Sequence, residues 1–251
     1  MEANKIIITG AATRMGAAIA KKLSGPGVEI VVHYNSSKSN AERLKKELNR
    51  NNTNVYLVKG DLSKEDDLKK ITKFAKSKLK YFDCLINNAS LFENDNLKNF
   101  TSKSWNDHLN INLKAPAYLT KEFAKNVRGK DNNIINIIDQ RVFKLTPFFF
   151  SYTLSKTGLY TLTKTSAMNL APNIRVNGIA PGPTIKNKRQ TDKHFKKQYL
   201  ATPLRHQVNI NEICNAVDFF IKNSSITGQV IAIDSGQSLN WQTPDIMNGK
   251  E

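Results

Sequence analysis

The sequence predicts a single α/β domain, residues 1–251, built on a doubly wound parallel sheet of about seven strands with helices on both faces. Three observations predict it. The chain has 251 residues and 39% hydrophobic content, enough to bury one sizeable core. Short β-branched runs alternate with longer amphipathic segments, and strand, helix, strand in sequence order means parallel pairing through right-handed crossovers. The strand-like runs are apolar throughout rather than at every second residue, as in a sheet covered on both faces.

The elements follow in order. "KIIIT" (Lys5–Thr9) opens the sheet, and Met15–Leu23 is the first helix. "EIVVHY" (Glu29–Tyr34) is followed by a helix from Asn40 to Asn49, with Ser39 or Asn40 suited to cap it. "NVYLVK" (Asn54–Lys59) precedes the acid-to-lysine helix Lys64–Leu79, and "CLINN" (Cys84–Asn88) precedes one long helical pattern over Ser102–Val127. "NIINII" (Asn133–Ile138), a helix over Tyr152–Leu170, "IRVNGIA" (Ile174–Ala180), a helix over Asn211–Lys222 and "QVIAID" (Gln229–Asp234) complete the series. The segment from about 181 to 209, with "PGPTIKNKRQ" and "ATPLRHQ", lacks clear periodicity. Inside a compact domain such a stretch is a binding loop.

Composition narrows the function. The formal net charge is +17, but the lysines are spread over nearly every polar segment beside acids or asparagines. No basic stripe interleaved with aromatics marks a nucleic-acid groove, so no specific nucleic-acid partner is expected. Cys84 and Cys214 have no metal-ligand spacing and read as reduced core thiols. The N-terminal apolar run before Gly10 is too short for a signal or membrane span, giving the expectation of a cytoplasmic protein without membrane partners. His33, His108, His194 and His206 show no metal spacing; packing or surface roles are expected, and no metal site.

Ligands of doubly wound sheets bind at the carboxyl ends of the strands, so the loops there carry the chemistry. After the first strand comes "TGAATRMG": Gly10 permits a tight turn, Gly16 permits close helix packing, and the turn leads into a helix N-terminus whose amides and dipole favour a pyrophosphate. Arg14 stands where many such loops have a third glycine, and arginine suits a planar or phosphate anion. The second strand ends in "HYNSSKSN". No acid is present there to bond a ribose 2′-hydroxyl, whereas Asn35, Ser36 and Ser37 offer donors and Lys38 adds positive charge, so NADP(H) is the expected cofactor. Further along, "GDLS" places Asp61 and Leu62 to flank an adenine, and "NNAS" forms a strand-end turn whose backbone can reach the cofactor.

Taken in order, Thr9, Gly10 and Gly16, Asn87–Ala89, Asn112 in "NIN", Tyr152-x-x-x-Lys156, "RVNGIAPG" and "ITGQ" resemble the short-chain dehydrogenase/reductase family over nearly the whole chain. The resemblance implies a Rossmann-type fold with Tyr152, Lys156 and Asn112 as catalytic residues. Tyr152 and Lys156 lie one helical turn apart. A neighbouring ammonium favours the phenolate and brings proton transfer nearer neutral pH; Lys156 would also hold the nicotinamide ribose, and Asn112 a water-linked proton relay. The remaining cofactor positions implied are Met15, Tyr34, Asn88, Ala89, Ser90, Tyr152 itself, Pro181 and Gly182.

One position departs from the general family pattern. Asp139, at the end of the fifth strand, stands where most members have a serine that bonds a substrate carbonyl. An ionised carboxylate only accepts hydrogen bonds, so it suits a ring that presents N–H donors or is protonated at nitrogen, and hence reduction of a C=N bond. Together with Arg14 and with Phe92 after "NNAS", Asp139 resembles the pteridine reductase branch, including dihydromonapterin and dihydrofolate reductases. That branch implies a substrate site of Arg14, Phe92, Asp139, Tyr152 and Pro183, with Phe92 stacking a pterin, in a homotetramer or homodimer. A carbonyl or 3-oxoacyl-carrier-protein reductase is the enzymatic alternative, and a nucleotide-sensing protein without turnover the non-enzymatic one. Whether "PFFF" (Pro147–Phe150) or Trp241 lines the pocket stays open at this level.

Overall fold

The computed structural model describes residues 4–187 and 189–241. Seven parallel strands form one sheet: β1 (Lys5–Ile8), β2 (Glu29–Tyr34), β3 (Asn54–Lys59), β4 (Cys84–Asn87), β5 (Asn132–Ile137), β6 (Ile174–Pro181) and β7 (Val230–Ile233), in the order β3-β2-β1-β4-β5-β6-β7. The chain therefore reverses direction across the sheet between β1 and β4, and it is at such a switch point that the strand ends leave a crevice. Helices α1 (Arg14–Lys22), α2 (Lys38–Asn49) and α8 (Ile210–Lys222) join the core layer that includes Ile6, Ile8, Ile30 and Val32. The opposite layer packs α3 (Glu65–Leu79), α5 (Ala115–Ala124) and the end of α6 (Phe150–Leu170) against Ile7, Val31, Leu85 and Ile134. Strand residues alternate between the two layers, and both faces are apolar because both are covered.

Three segments differ from the sequence expectation. The pattern over 102–127 is not one helix: α4 (Ser102–Leu109), capped by Thr101, passes through a π-helical turn at Asn110–Lys114 before α5. A π turn inserts one residue into an α-helix and leaves apolar spacing nearly intact, so periodicity does not register it. The 181–209 segment contains a helix, α7 (Asp192–Leu200), capped by the Thr191 hydroxyl. Only Phe195 of that helix is buried, which left too faint an apolar stripe to read. Helix α2 begins at Lys38, with Ser37 at its N-cap but no side-chain cap bond, earlier than the capping residues Ser39 and Asn40 suggested. Among the described residues no helix is long and apolar enough to cross a membrane.

Candidate active site

The loop after β1 is built by close contact. Gly10 has φ +62°, and a Cβ there would stand 3.0 Å from Ala89 Cα; a Cβ on Gly16 would lie 2.5 Å from both the Gly10 carbonyl and Asn88 Nδ2. The Thr9 hydroxyl accepts from the amides of Asn88 and Ala89, both at 3.0 Å, and Asn88 Nδ2 donates to the carbonyls of Thr9 (2.8 Å) and Gly10 (3.2 Å). These bonds fix the β1 and β4 loops to each other. Helix α1 starts beside them with no side-chain cap and no acid in its first turn. Its N-terminal amides and positive dipole end are thus available to an anion, and the glycine surfaces give a flat ligand close access to backbone.

His33 joins the first two loops. Its Nδ1 accepts from the Gly10 amide at 3.1 Å, so Nε2 carries the hydrogen and meets the Gly60 carbonyl at 3.0 Å. Burial pushes its pKa down and keeps the ring neutral. At the end of β2, Tyr34 is buried, Asn35 and Ser36 are exposed and Ser37 is half-buried. Asp61 accepts from the Ser63 amide (3.0 Å) and hydroxyl (2.8 Å), and Leu62 beside it is buried. Burial raises the Asp61 pKa, but the Ser63 bonds outweigh it and hold the carboxyl below its usual range. At the end of β6, a Cβ on Gly182 would fall 2.5 Å from Asp234 Cα, Pro181 and Pro183 are buried, and Met15 is half-buried against the core.

The loops after β4, β5 and the start of α6 converge on Tyr152. Its phenol donates to Asp139 Oδ2 at 2.8 Å, while Asp139 Oδ1 accepts from the Arg141 amide at 2.8 Å and lies 3.5 Å from the Arg141 guanidinium. Burial first, then the charge and hydrogen bond of Asp139, push the Tyr152 pKa well above the usual phenol value; Arg141 and the Ser90 hydroxyl work against that rise. Lys156 is fully buried, donates to the Ile137 carbonyl at 2.8 Å, and is pushed down to about 8 by burial, with Asp139 acting in the other direction. Its ammonium lies 5.8 Å from the Tyr152 ring centre. The phenol's hydrogen-bond partner is therefore the Asp139 carboxylate, while the Lys156 ammonium, beside the Tyr152 ring, bonds the Ile137 carbonyl.

Asn112 sits in the π turn, fully buried, its side chain bonded to both backbone groups of Leu91 (2.8 and 2.9 Å) and to Ser155 Oγ (3.0 Å). It ties the Phe92 loop to α6. Arg14 has φ +54° and donates to the carbonyls of Ile185 (3.1 Å) and Lys186 (3.0 Å), tying the β1 loop to the segment after β6. Phe92 meets Tyr152 edge-on at 4.7 Å and lies flat against Phe149 at 4.5 Å with 8° between the rings.

Sequence reasoning passed over several residues that gather here. Arg141 lies 5.3 Å from the Phe92 centre and 4.7 Å from the Phe149 centre. With the two rings only 4.5 Å apart, those distances place the guanidinium beside the stacked pair rather than above it. Arg189 donates to the Phe92 carbonyl at 2.6 Å and pairs with Glu93. Phe149 holds a left-handed backbone at φ +59°, a conformation that non-glycine residues keep only under local constraint. Phe149 is where "PFFF" enters α6, and its stacking on Phe92 makes it part of the site, while Phe148 is exposed, as is Trp241. Among the described residues no His, Cys, Asp or Glu cluster could hold a metal ion.

An uncapped helix behind a glycine turn at the sheet's switch point and a Tyr–Lys pair beside the end of β5 together define an oxidoreductase of dinucleotide type. The chain belongs to the short-chain dehydrogenase family, whose family model, short chain dehydrogenase, matches residues 4–197. Among curated relatives, the 3-oxoacyl-[acyl-carrier-protein] reductase FabG of Buchnera aphidicola subsp. Baizongia pistaciae is 30% identical over 92% of this chain and 95% of its own. FabG of Staphylococcus epidermidis is 29% identical over 92% and 97%. Among solved structures, FolM alternative dihydrofolate reductase 1 from Brucella canis, complexed with NADP, is 42% identical with a TM-score of 0.93 over 98% of both chains. Its Brucella suis counterpart, also with NADP, is 41% identical with a TM-score of 0.91, covering 96% of this chain and 97% of its own.

Proposed function

We propose that this oxidoreductase is an NADPH-dependent reductase of pterins, of the dihydropterin, dihydromonapterin or dihydrofolate class. The observation that carries the reading is the 2.8 Å hydrogen bond from the Tyr152 phenol to the Asp139 carboxylate, with the Phe92 ring edge-on to Tyr152. The residues present suit the cofactor: glycine surfaces that any Cβ would block, an open helix N-terminus, and no acid at the end of β2 to oppose a 2′-phosphate. Gly10, Met15 and Gly16 would hold the pyrophosphate; Tyr34, Asn35, Ser36 and Ser37 the phosphorylated ribose; Asp61 and Leu62 the adenine; and Asn88, Ala89, Ser90, Lys156, Pro181 and Gly182 the nicotinamide half. Bound there, NADPH supplies the hydride.

The chain's own residues manage position and proton. Tyr152 carries the proton it would donate; burial and Asp139 hold that proton more tightly than in a free phenol, and Arg141 and the Ser90 hydroxyl favour its release. Asp139 accepts an N–H from the ring and returns the phenol's orientation through the same carboxylate. Phe92 supplies the stacking face, and Arg14, through its bonds to residues 185 and 186, fixes the substrate loop above it. A homotetramer or homodimer belongs to the same reading. The FabG relatives favour a second reading, reduction of a carbonyl on an acyl carrier, in which Asp139 would be a neutral replacement. Steady-state NADPH oxidation with dihydrobiopterin, dihydromonapterin and dihydrofolate beside a panel of ketones and 3-oxoacyl thioesters separates them. Turnover confined to the carbonyl panel would reject the pterin reading.

A further inference from the structure

Behind Tyr152 lies a buried polar chain that the reaction as described does not use. His108, on α4, is fully buried, as is Ser151 at the start of α6; Asp95, in the loop after β4, is 5% exposed. The Glu93 amide donates to His108 Nε2 at 3.1 Å, which leaves the hydrogen on Nδ1, 2.7 Å from Ser151 Oγ. Ser151 Oγ in turn donates to Asp95 Oδ2, and Asp95 Oδ1 accepts from the Ser151 amide at 3.0 Å. Ser104 Oγ adds a bond to Asp95 Oδ2 at 3.1 Å. Every hydrogen runs one way, from the loop amide through the imidazole and the hydroxyl to the carboxylate. Adjacent bonds join the same two segments: Phe149 N to Asn94 Oδ1 at 3.2 Å and Phe150 N to the Asp95 carbonyl at 3.2 Å.

The two segments so joined are the one that carries Phe92 and the one that carries Tyr152. The His108 ring also meets the Tyr152 ring edge-on at 5.9 Å. We propose that His108, Ser151 and Asp95 are positioning residues that hold the Phe92 ring in register with the Tyr152 phenol. The inference rests on the reading that Phe92 carries the substrate ring. Buried polar chains of this kind stabilise one arrangement because any partly bonded alternative leaves a desolvated donor or acceptor.

The chain holds only while His108 is neutral, because protonated Nε2 would be a donor facing the Glu93 N–H donor. The charged and titratable groups around His108 are Asp95 from the β4 loop, Asp107 on its own helix and Tyr152 from α6; Glu93 contributes its amide while its carboxylate pairs with Arg189. Burial lowers the His108 pKa and outweighs the opposing pull of Asp95, Asp107 and the Ser104 backbone. The neutral form therefore persists into mildly acid solution.

Two measurements test this. Amide hydrogen exchange, corrected for intrinsic pH dependence, should show Glu93 protected at neutral pH, losing protection below the ordinary histidine range and losing it at every pH in His108→Leu, which has no acceptor for that amide. Kinetically, His108→Leu should raise KM for the dihydropterin by about fivefold, the scale of a weakened stacking contact, with kcat nearly unchanged. In a Phe92→Leu background the same substitution should leave KM within about twofold, since residues acting through one another are not additive. Ser151→Ala serves in the same cycle should His108→Leu fail to fold. Independent, additive effects of the His108 and Phe92 substitutions on KM would overturn the proposal, as would unchanged Glu93 protection in His108→Leu. A wild-type protein inert toward every dihydropterin would reject the substrate reading instead, and the Glu93 amide would then decide the network alone.

Discussion

The two halves of the sheet build their candidate binding walls by different means. On the β1–β3 side the walls are backbone: glycine surfaces at Gly10 and Gly16, an uncapped helix start, and the neutral His33 ring bonding the Gly10 and Gly60 backbones. On the β4–β6 side the walls are side chains from three separate segments, Phe92, Asp139, Arg141, Phe149 and Tyr152, within contact of one another. A backbone cradle recognises what all dinucleotides share and tolerates change at most positions. A side-chain cluster recognises one substrate, and single substitutions can redirect it.

The sharpest break between the halves is expected at Tyr152 and Asp139. Tyr152→Phe removes only the phenolic hydroxyl, so turnover should fall by about 10³-fold, within the range for a lost general acid, while NADPH affinity by fluorescence titration stays the same. Asp139→Ser should lower dihydropterin kcat/KM by about 10²-fold and leave ketone reduction level or higher. NADPH affinity is the internal control, because Asp139 follows β5 and the phosphate-side loops follow β1 and β2. An Asp139→Ser protein with wild-type pterin kcat/KM would return the carbonyl reading to first place. Loss of NADPH binding in either variant would dissolve the distinction between the halves.

A weaker effect probes the backbone side. Asn35 is exposed at the end of β2 with no acid nearby in sequence. Asn35→Asp places a carboxylate where a 2′-phosphate is expected, and one like-charge contact near the surface should weaken NADPH by about tenfold while leaving NADH unchanged. Equal affinities of the unsubstituted protein for NADPH and NADH would already contradict the assignment.

The same division explains what the sequence disclosed. Gly10, Gly16 and Asn88 are marked by local spacing because the constraint they answer to is local: a tight turn and the approach of two neighbouring loops. Tyr152 and Lys156 were legible as one helical face, yet that spacing could not reveal that Lys156 bonds the Ile137 carbonyl while Asp139 takes the phenol. Arg141, Phe149 and His108 have no pattern in sequence at all. They matter because α4, the β5 end and the start of α6 meet in space, and Arg141 stands two residues from the acid that was singled out. His33 and His108 gave the bland signal of lone histidines, and both proved to be buried rings with fixed tautomers. The π turn at Asn112 and the lysine-rich α7 escaped for the opposite reason, since each nearly preserves or nearly lacks the apolar period on which recognition depends.

The smallest expected effect falls on the β4–β6 side, at Lys156 beside β5. Its folded-state pKa of about 8 lies below the ordinary lysine value of 10.5 because the ammonium is buried. Below about pH 8 the ammonium is charged in both folded and unfolded chains, and its desolvation penalty is fully present. Between there and 10.5 the unfolded chain holds a proton that the folded chain has released, so this group's penalty diminishes as pH rises. Lys156→Met fills a similar volume without the charge. The ligand-free variant should therefore melt at a higher temperature than wild type at pH 7, by a few degrees, on the order of what one or two kcal/mol produces in a chain of this size. That advantage should shrink steadily as pH approaches 10. The same variant should bind NADPH poorly, since Lys156 is a ribose-holding residue in the proposed site. A stability gain with a loss of cofactor affinity is what a charge kept in the core for function requires. A Tm difference that ignores pH would mean that the ammonium is solvated after all, and that its surroundings at the end of β5 are wetter than its burial implies.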